Sequence, residues 1–309
     1  MTGKVSISVL AVVAVAFLLL STGAYLLRDP LPIFLERRSS LAVVREASSV
    51  VDGASVLTPV RIIATSGLTV DLVVRRAIAD GTRRLPLAIL LGGHYTGSDA
   101  ARLIGDTPGV TIAALSYPFT GSPRPDAWTF LRDIPRIRRA FLDTPPAVML
   151  ALDYLMQRSD VDTARVEAVG VSLGVPFMCI AGALDSRVTR VWALHGSGGS
   201  YAPLEASMRR MIPFTPLRAL AAGVANIIIN GPHLDPVRWV SRISPRPFVM
   251  VNATDEERLP RSAIEALYQS ARQPKELMWM SGEHVHADAA TIQRLAKIVM
   301  SRVSGEATR

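Results

Sequence analysis

Apolar residues occur along the chain in two alternating patterns, which together predict an α/β fold. Short apolar runs bounded by glycine, proline or polar residues indicate strands at 60–65, 69–75, 85–91, 110–116, 165–171, 189–194, 247–252 and 275–280. Apolar residues at helical spacing indicate helices at 98–104, 147–157, 173–184, 261–271 and 287–303. Strands that alternate with helices pair mostly in parallel, because each crossover returns the chain to the same end of the sheet. The first two strands, joined through Ser66 and Gly67, read as an opening hairpin.

The first apolar segment is different, because residues 5–27 form a continuous run without a charged side chain. As a helix the run would be about 34 Å long, enough to cross a hydrocarbon core of about 30 Å. We therefore expect residues 1–28 to be a single-pass membrane anchor, with a cleaved signal segment and a secreted form as the alternative. The rest of the chain is expected on the extracytoplasmic side, although the arginines that follow the segment favour the opposite orientation.

The rest of the chain divides into a polar stretch and one large domain. Residues 29–55 are rich in Arg, Glu and Ser and are predicted to be a juxtamembrane linker. Residues 56–309 are close to the size of a single α/β domain. Within them, the segment 197–243 is longer than a simple connection, and its spaced Met, Phe and Leu residues predict either a lid over an apolar pocket or a helix packed on the sheet.

Composition narrows the classes of function. Apolar residues make up 49% of the chain and charged residues only 19%, which excludes a disordered protein. The net charge of +8 comes from arginines scattered in pairs, with no basic stripe interleaved with aromatic residues, so no nucleic-acid partner is expected. The single cysteine, Cys179, excludes an intrachain disulfide and a multi-cysteine metal cluster, and no metal or organic cofactor is expected.

The segment from Gly170 to Gly174 has the pattern Gly-x-Ser-x-Gly and lies between a predicted strand and a predicted buried helix. A serine on such a tight turn is exposed, and glycines two residues before and two after it prevent collisions with neighbouring elements. The helix amino terminus that follows favours negative charge developing nearby. Ser172 is therefore the candidate nucleophile.

With its GVSLG motif, the DVDTAR segment at 160–165 and the ISPRP segment at 243–247, the chain resembles the α/β-hydrolase superfamily over about residues 57–303. The resemblance is nearest to the dienelactone-hydrolase-like and prolyl-peptidase-like bacterial esterases. It implies a mostly parallel eight-stranded sheet with helices on both faces, and a serine, an acid and a histidine in that chain order.

A serine hydroxyl needs a base within hydrogen-bond reach, and the base needs a carboxylate to orient it. His284 lies where the resemblance places the base, after the last strand, and His286 is the alternative. In the resembled family the acid stands four residues before a proline, which selects Glu256, with Asp255 as the alternative. His195 and His233 are interpreted as polar loop residues.

Two backbone amides are expected to stabilise the oxyanion of acyl transfer. One belongs to Leu173, the residue after the nucleophile. The second is predicted after the strand at 85–91, where the resemblance places a His-Gly pair followed by the donor. Gly92 occupies the usual histidine position, Gly93 follows it, and His94 is the predicted donor.

These residues predict a serine esterase that cleaves a small carboxylic ester through an acyl-enzyme. If the segment 197–243 is a lid over an apolar pocket, that ester is expected to have an apolar acyl group. A peptidase or amidase would use the same residues, but no propeller or other gating domain that would select peptides is evident. A catalytically silent binding protein is the alternative from another class, because Val175 stands where many relatives of the resembled family have glycine.

Overall fold

The structure is a computed structural model that describes residues 7–93, 96–122, 126–284 and 289–305. Its centre is a ten-stranded sheet in the order β1-β3-β4-β6-β5-β7-β8-β9-β10, with β2 paired to β3. The strands are β1 (Leu41–Glu46), β2 (Val50–Asp52), β3 (Ser55–Ala64), β4 (Thr69–Ala77), β5 (Leu85–Leu91), β6 (Thr111–Leu115), β7 (Val161–Val171), β8 (Arg190–Leu194), β9 (Phe248–Ala253) and β10 (Lys275–Met280).

One half of the sheet is antiparallel. Strands β3 and β4 form the expected hairpin, with Ile63 opposite Thr69, and β4 pairs with β6 in the same sense. Strands β1 and β2 pair antiparallel with β3. Both lie within residues 29–55, so this stretch is not simply the predicted linker. Its pattern gave no strand signal because β1 is an edge strand whose residues are mostly exposed.

The other half is parallel and runs from β6 through β5, β7, β8 and β9 to β10. Every residue of β5, β6 and β9 is buried, which explains why these strands read as continuous apolar runs. The register places Val171 beside Leu194, and Leu194 beside Val251. Residues that follow these strands therefore emerge at one edge of the sheet, where ligands bind in open α/β folds.

The described residues also form helices. They are α1 (Ile7–Leu27), α2 (Leu31–Arg38), α3 (Ala100–Leu103), α4 (Ala127–Leu155), α5 (Gly174–Leu184), α6 (Tyr201–Ser207), α7 (Thr215–Ile228), α8 (Gly231–Leu234), α9 (Arg261–Ser270) and α10 (Ala289–Ser304). Helix α5 packs against β7, β8 and α4 and buries almost all of its residues, as its uniformly apolar sequence predicts. Helix α4 begins at Ala127, well before the predicted start at residue 147. The earlier part was not predicted because Pro135, Pro145 and Pro146 lie inside the helix, and proline usually ends one.

Helix α1 occupies most of the segment predicted to be a membrane anchor. At its carboxyl end it contacts the protein: the Tyr25 hydroxyl donates to Asn230 Oδ1 at 2.9 Å, and the Tyr25 ring meets that of His233 at 4.5 Å. Within the described residues, no helix has the combination of length and apolarity that crossing a membrane requires. The predicted transmembrane helix and membrane partner are therefore not supported, and the location of the protein stays a prediction.

The segment 197–243 contains α6, α7 and α8. Of the described side chains in α7, only Ala222 and Asn226 are buried. The apolar residues on which the prediction depended are instead largely exposed, with Phe214 67% and Leu220 65% accessible. These residues therefore do not pack on the sheet, which was one of the two expectations. The other expectation, a lid, stays a prediction.

Candidate active site

Four chemically active side chains follow neighbouring strands of the parallel half. Ser172 follows β7, His195 follows β8, Glu256 lies three residues after β9, and His284 lies four residues after β10. The residues are far apart in the sequence, but β7, β8, β9 and β10 are adjacent in the sheet. The sheet order therefore brings all four to one edge.

Ser172 sits on a strained turn between β7 and α5. Its φ is +49°, in the left-handed region that residues with a Cβ seldom occupy. Its backbone amide donates to the carbonyl of Leu194 at 2.8 Å, which ties the turn to β8. A Cβ on Gly170 would lie 2.8 Å from the Cα of Val175, and one on Gly174 would clash with the Leu91 carbonyl. The two glycines are thus needed for the reason that the motif predicts.

The structure brings together the serine, the histidine and the acid that the sequence analysis favours. Ser172 Oγ lies 2.9 Å from His284 Nε2. His284 Nδ1 lies 2.8 Å from both carboxyl oxygens of Glu256. The side chains of His284 and Glu256 are only 2% and 4% exposed, so the second of these contacts is shielded from water.

Glu256 is held as a carboxylate despite its burial. Burial by itself raises the pKa of Glu256, but hydrogen bonds from His195 and His284, the charge of His284 and the Arg258 amide outweigh it and lower the pKa to about 2. The Arg258 and Leu259 amides donate to Oε1 at 3.0 and 3.2 Å.

Asp255, the alternative acid, is exposed, and its carboxylate accepts from the Thr254 hydroxyl at 3.1 Å. The geometry therefore favours Glu256.

Glu257 has a position that the sequence analysis missed. Its Oε1 accepts from Arg258 Nε at 3.2 Å. Its other oxygen, however, accepts from the His284 backbone amide at 2.9 Å. Burial raises the pKa of Glu257, but hydrogen bonding from this amide and the charge of His284 outweigh it, and the net direction is downward. Glu257 thereby fixes the loop that carries His284.

The predicted oxyanion region lies beside the serine. A Cβ on Gly93 would lie 3.5 Å from Ser172 Cβ. The Gly92 carbonyl accepts from the Tyr117 hydroxyl at 2.6 Å, and a Cβ on Gly92 would lie 2.8 Å from Thr96. Leu173 directly precedes α5, which places its amide at a helix start. The other two predicted site residues, His94 and the alternative base His286, lie outside the described residues.

His195 was interpreted as a polar loop residue, and the structure places it inside the site. Its side chain is fully buried, with Nδ1 3.4 Å from Glu256 Oε2. Its ring meets that of His284 at 5.1 Å and 70°. Its position directly after a strand that neighbours the nucleophile's strand was the available signal. His233, the other histidine interpreted in this way, packs against Tyr25 instead.

His195, Glu256 and His284 also form a group whose ligand atoms lie within 4.8 Å of one another, close enough to consider a metal. Their arrangement is better explained by direct hydrogen bonds. Tetrahedral ligands at about 2.1 Å from zinc are separated by about 3.4 Å, whereas His284 Nδ1 and Glu256 are 2.8 Å apart. A proton on Nδ1 also removes that nitrogen as a ligand.

Comparison of the sequence with protein-family models gives no match, and a search of curated proteins gives none either. Solved structures do match. Acetyl xylan esterase 1 from Thermoanaerobacterium sp. aligns with a TM-score of 0.63 and 15% identity, over 89% of this chain and 94% of that one. The acetyl xylan esterase from Paenibacillus sp. R4 aligns with a TM-score of 0.60 and 17% identity, over 88% of this chain and 90% of that one. The α/β hydrolase GrgF from Penicillium sp. sh18 aligns with a TM-score of 0.55 and 17% identity, over 81% of this chain and 99% of that one. The chain has an α/β-hydrolase fold.

Proposed function

We propose that the protein is a serine hydrolase that cleaves a carboxylic ester through an acyl-enzyme. The observation that carries the proposal is the continuous hydrogen-bonded series from Ser172 Oγ to His284 Nε2 at 2.9 Å and from His284 Nδ1 to Glu256 at 2.8 Å. A base within this distance of a serine hydroxyl, oriented by a buried carboxylate, is the arrangement that activates serine as a nucleophile.

In acylation, Ser172 Oγ attacks the ester carbonyl while its proton passes to His284 Nε2. Glu256 stabilises the imidazolium that forms, because the carboxylate stays ionised at a pKa of about 2. The carbonyl oxygen becomes an oxyanion beside the start of α5, where the Leu173 amide can donate to it. The C–O bond then breaks, and His284 returns the proton to the leaving alcohol.

Deacylation repeats these steps with water. His284 Nε2 takes a proton from water as the water oxygen attacks the acyl carbonyl, and the imidazolium then protonates Ser172 Oγ as the acid product leaves. The proton balance closes with no external donor. The nucleophile, base and acid are therefore assigned as Ser172, His284 and Glu256, with Gly92, Gly93 and Leu173 around the oxyanion.

A carboxylic ester is the proposed substrate class, because two of the aligned proteins are named acetyl xylan esterases. Acetyl esters are therefore the first substrates to test. Rates on p-nitrophenyl esters of increasing chain length would then define the preferred acyl group, and a p-nitroanilide would test the amidase alternative. An apolar acyl pocket predicts higher kcat/KM for longer chains.

The decisive experiment compares wild type, Ser172→Ala and Ser207→Ala. Ser207 is a matched control, because it is exposed at the end of α6 and its hydroxyl donates to Leu204 O at 2.7 Å. A fluorophosphonate probe should label wild type and Ser207→Ala but not Ser172→Ala. Hydrolysis of p-nitrophenyl acetate should fall by on the order of 10⁴ to 10⁶ in Ser172→Ala.

Equal labelling of Ser172→Ala would refute the assignment of the nucleophile. An unlabelled and inactive wild type would instead favour the silent binding protein.

A further inference from the structure

His195 occupies a strained and buried position for which its packing alone gives no reason. Its φ is +50°, and only three other described non-glycine residues have a positive φ, Ser172 among them. Its backbone amide donates to the Val251 carbonyl at 2.7 Å, so the turn is anchored to β9. A positive φ at a residue with a Cβ is costly and tends to persist where the side chain is needed. The imidazole of His195 makes one hydrogen bond within the described residues, between its Nδ1 and Glu256 Oε2 at 3.4 Å.

The protons of the contact can be assigned from the chemistry of the partners. Glu256 is a carboxylate and has only acceptors to offer, so the hydrogen bond requires the proton to be on His195 Nδ1. Among the described residues, the buried Nε2 of His195 has no hydrogen-bond partner. A lone pair there leaves no buried N–H unsatisfied, which agrees with a neutral ring protonated at Nδ1.

The two oxygens of Glu256 are held differently. Oε1 accepts from two backbone amides, those of Arg258 at 3.0 Å and Leu259 at 3.2 Å. Oε2 accepts from His195 at 3.4 Å, and both oxygens lie 2.8 Å from His284 Nδ1. Among the described residues, His195 and His284 are the two that contact Oε2. Without His195, the contact with His284 is the one that remains at Oε2 among the described residues, and the carboxylate plane is less restrained.

We propose that His195 is a positioning residue for the catalytic acid: its Nδ1–H holds Glu256 Oε2 so that both carboxyl oxygens face His284 Nδ1. This inference rests on the proposed function. His195 acts through Glu256, because its Nδ1 contacts Oε2 and its Nε2 has no hydrogen-bond partner among the described residues. Two other described residues contact His284. Ser172 Oγ lies beside its Nε2, and Glu257 accepts from its backbone amide.

The test uses two variants that separate the donor from the ring. His195→Phe keeps a ring and removes the donor. His195→Asn keeps a donor at the Nδ1 position and tolerates positive φ. Because the hydrogen bond is long, we expect kcat/KM for p-nitrophenyl acetate to fall about tenfold in His195→Phe, mainly through kcat, and to stay within about threefold of wild type in His195→Asn. Circular dichroism and melting temperature check that both variants fold.

A double-mutant cycle with Glu256→Gln distinguishes positioning from mere packing. If His195 acts through Glu256, then His195→Phe should lower kcat/KM by less than about twofold in the Glu256→Gln background. Equal loss in His195→Phe and His195→Asn, or the same tenfold loss in both backgrounds, would overturn the inference.

Histidine-selective ¹⁵N NMR of the full chain provides a readout that does not need activity. His195, assigned by its loss in the Asn variant, should show a protonated Nδ1 and an unprotonated Nε2 at neutral pH. The reverse tautomer would overturn the inference. A wild type that is inactive and unlabelled by the fluorophosphonate would overturn the proposed function, and with it the catalytic purpose of this contact, while the NMR signal still reports whether the hydrogen bond exists.

Discussion

Replacing Glu256 by glutamine tests the candidate acid with little change in shape. The glutamine carbonyl should take the place of Oε1, because the Arg258 and Leu259 amides both donate there. The NH₂ group then occupies the Oε2 position and faces Nδ1 of both His195 and His284. The NH₂ group cannot accept from His284 Nδ1, and the glutamine carbonyl, 2.8 Å from Nδ1 on the other side, already accepts from two backbone amides. The tautomer of His284 that carries its proton on Nε2 is therefore favoured. In that tautomer it cannot accept the proton of Ser172.

The size of the effect can be estimated from the electrostatics of the site. A pKa of about 2 for Glu256, against an ordinary value of 4.5, means that the site favours the carboxylate by about 3 kcal/mol. Part of this energy comes from the contact between Glu256 and His284, and that part is lost in Glu256→Gln. Its loss lowers the rate by at most about 10²-fold, and the unfavourable tautomer of His284 adds to this effect. We expect kcat/KM to fall by about 10² to 10⁴.

The assay is hydrolysis of p-nitrophenyl acetate by wild type, Glu256→Gln and Asp255→Asn. Asp255→Asn makes the same chemical change one residue away, at an exposed carboxylate. It should retain activity within about twofold of wild type. The reasoning fails if Glu256→Gln is nearly as active as wild type, and Asp255 becomes the acid if the two variants exchange behaviour.

Two further predictions concern stability. Because the pKa of Glu256 is lowered, the stability that its carboxylate contributes is complete above pH 4.5 and is lost as the pH falls towards 2. In urea titrations, the difference in unfolding free energy between wild type and Glu256→Gln should therefore narrow below pH 4.5. A difference that is constant with pH would contradict this. Gly174→Ala should destabilise by about 1–3 kcal/mol, because its Cβ meets the Leu91 backbone. Gly223→Ala, in α7 with open space around its Cβ, should instead leave the melting temperature unchanged or raise it.

The inner strands of the parallel half, such as β5, β6 and β9, were predictable because both of their faces are buried. Strands β5 and β10 have the predicted bounds, 85–91 and 275–280. Strand β1 was not predicted, since an edge strand with exposed Val43 and Val44 needs no continuous apolar pattern. The start of α4 was missed because prolines such as Pro135 usually end helices, whereas tertiary packing overrides that preference here.

The candidate site was partly predictable for a related reason. Ser172 could be identified from a local motif, because the elbow is specified by residues within a few positions of each other. The choice of Glu256 over Asp255 depended on a family spacing, and the structure adds a physical reason: one carboxylate is buried against His284 and the other is exposed. His195 escaped detection because its partner is 61 residues away, and only the order of the strands brings the two together.

The presence of a glutamate at the acid position gives His195 a physical rationale. Glutamate has one more rotatable bond than aspartate, so ordering its carboxylate costs more side-chain entropy. The structure offsets this cost with backbone amides on Oε1 and with His195 on Oε2. An aspartate would need less restraint but is one methylene shorter, and from the same backbone it would fall short of His195, of His284 or of both. The longer acid and the second histidine thus depend on each other, which is why the effect of His195→Phe should disappear once Glu256 has lost its charge.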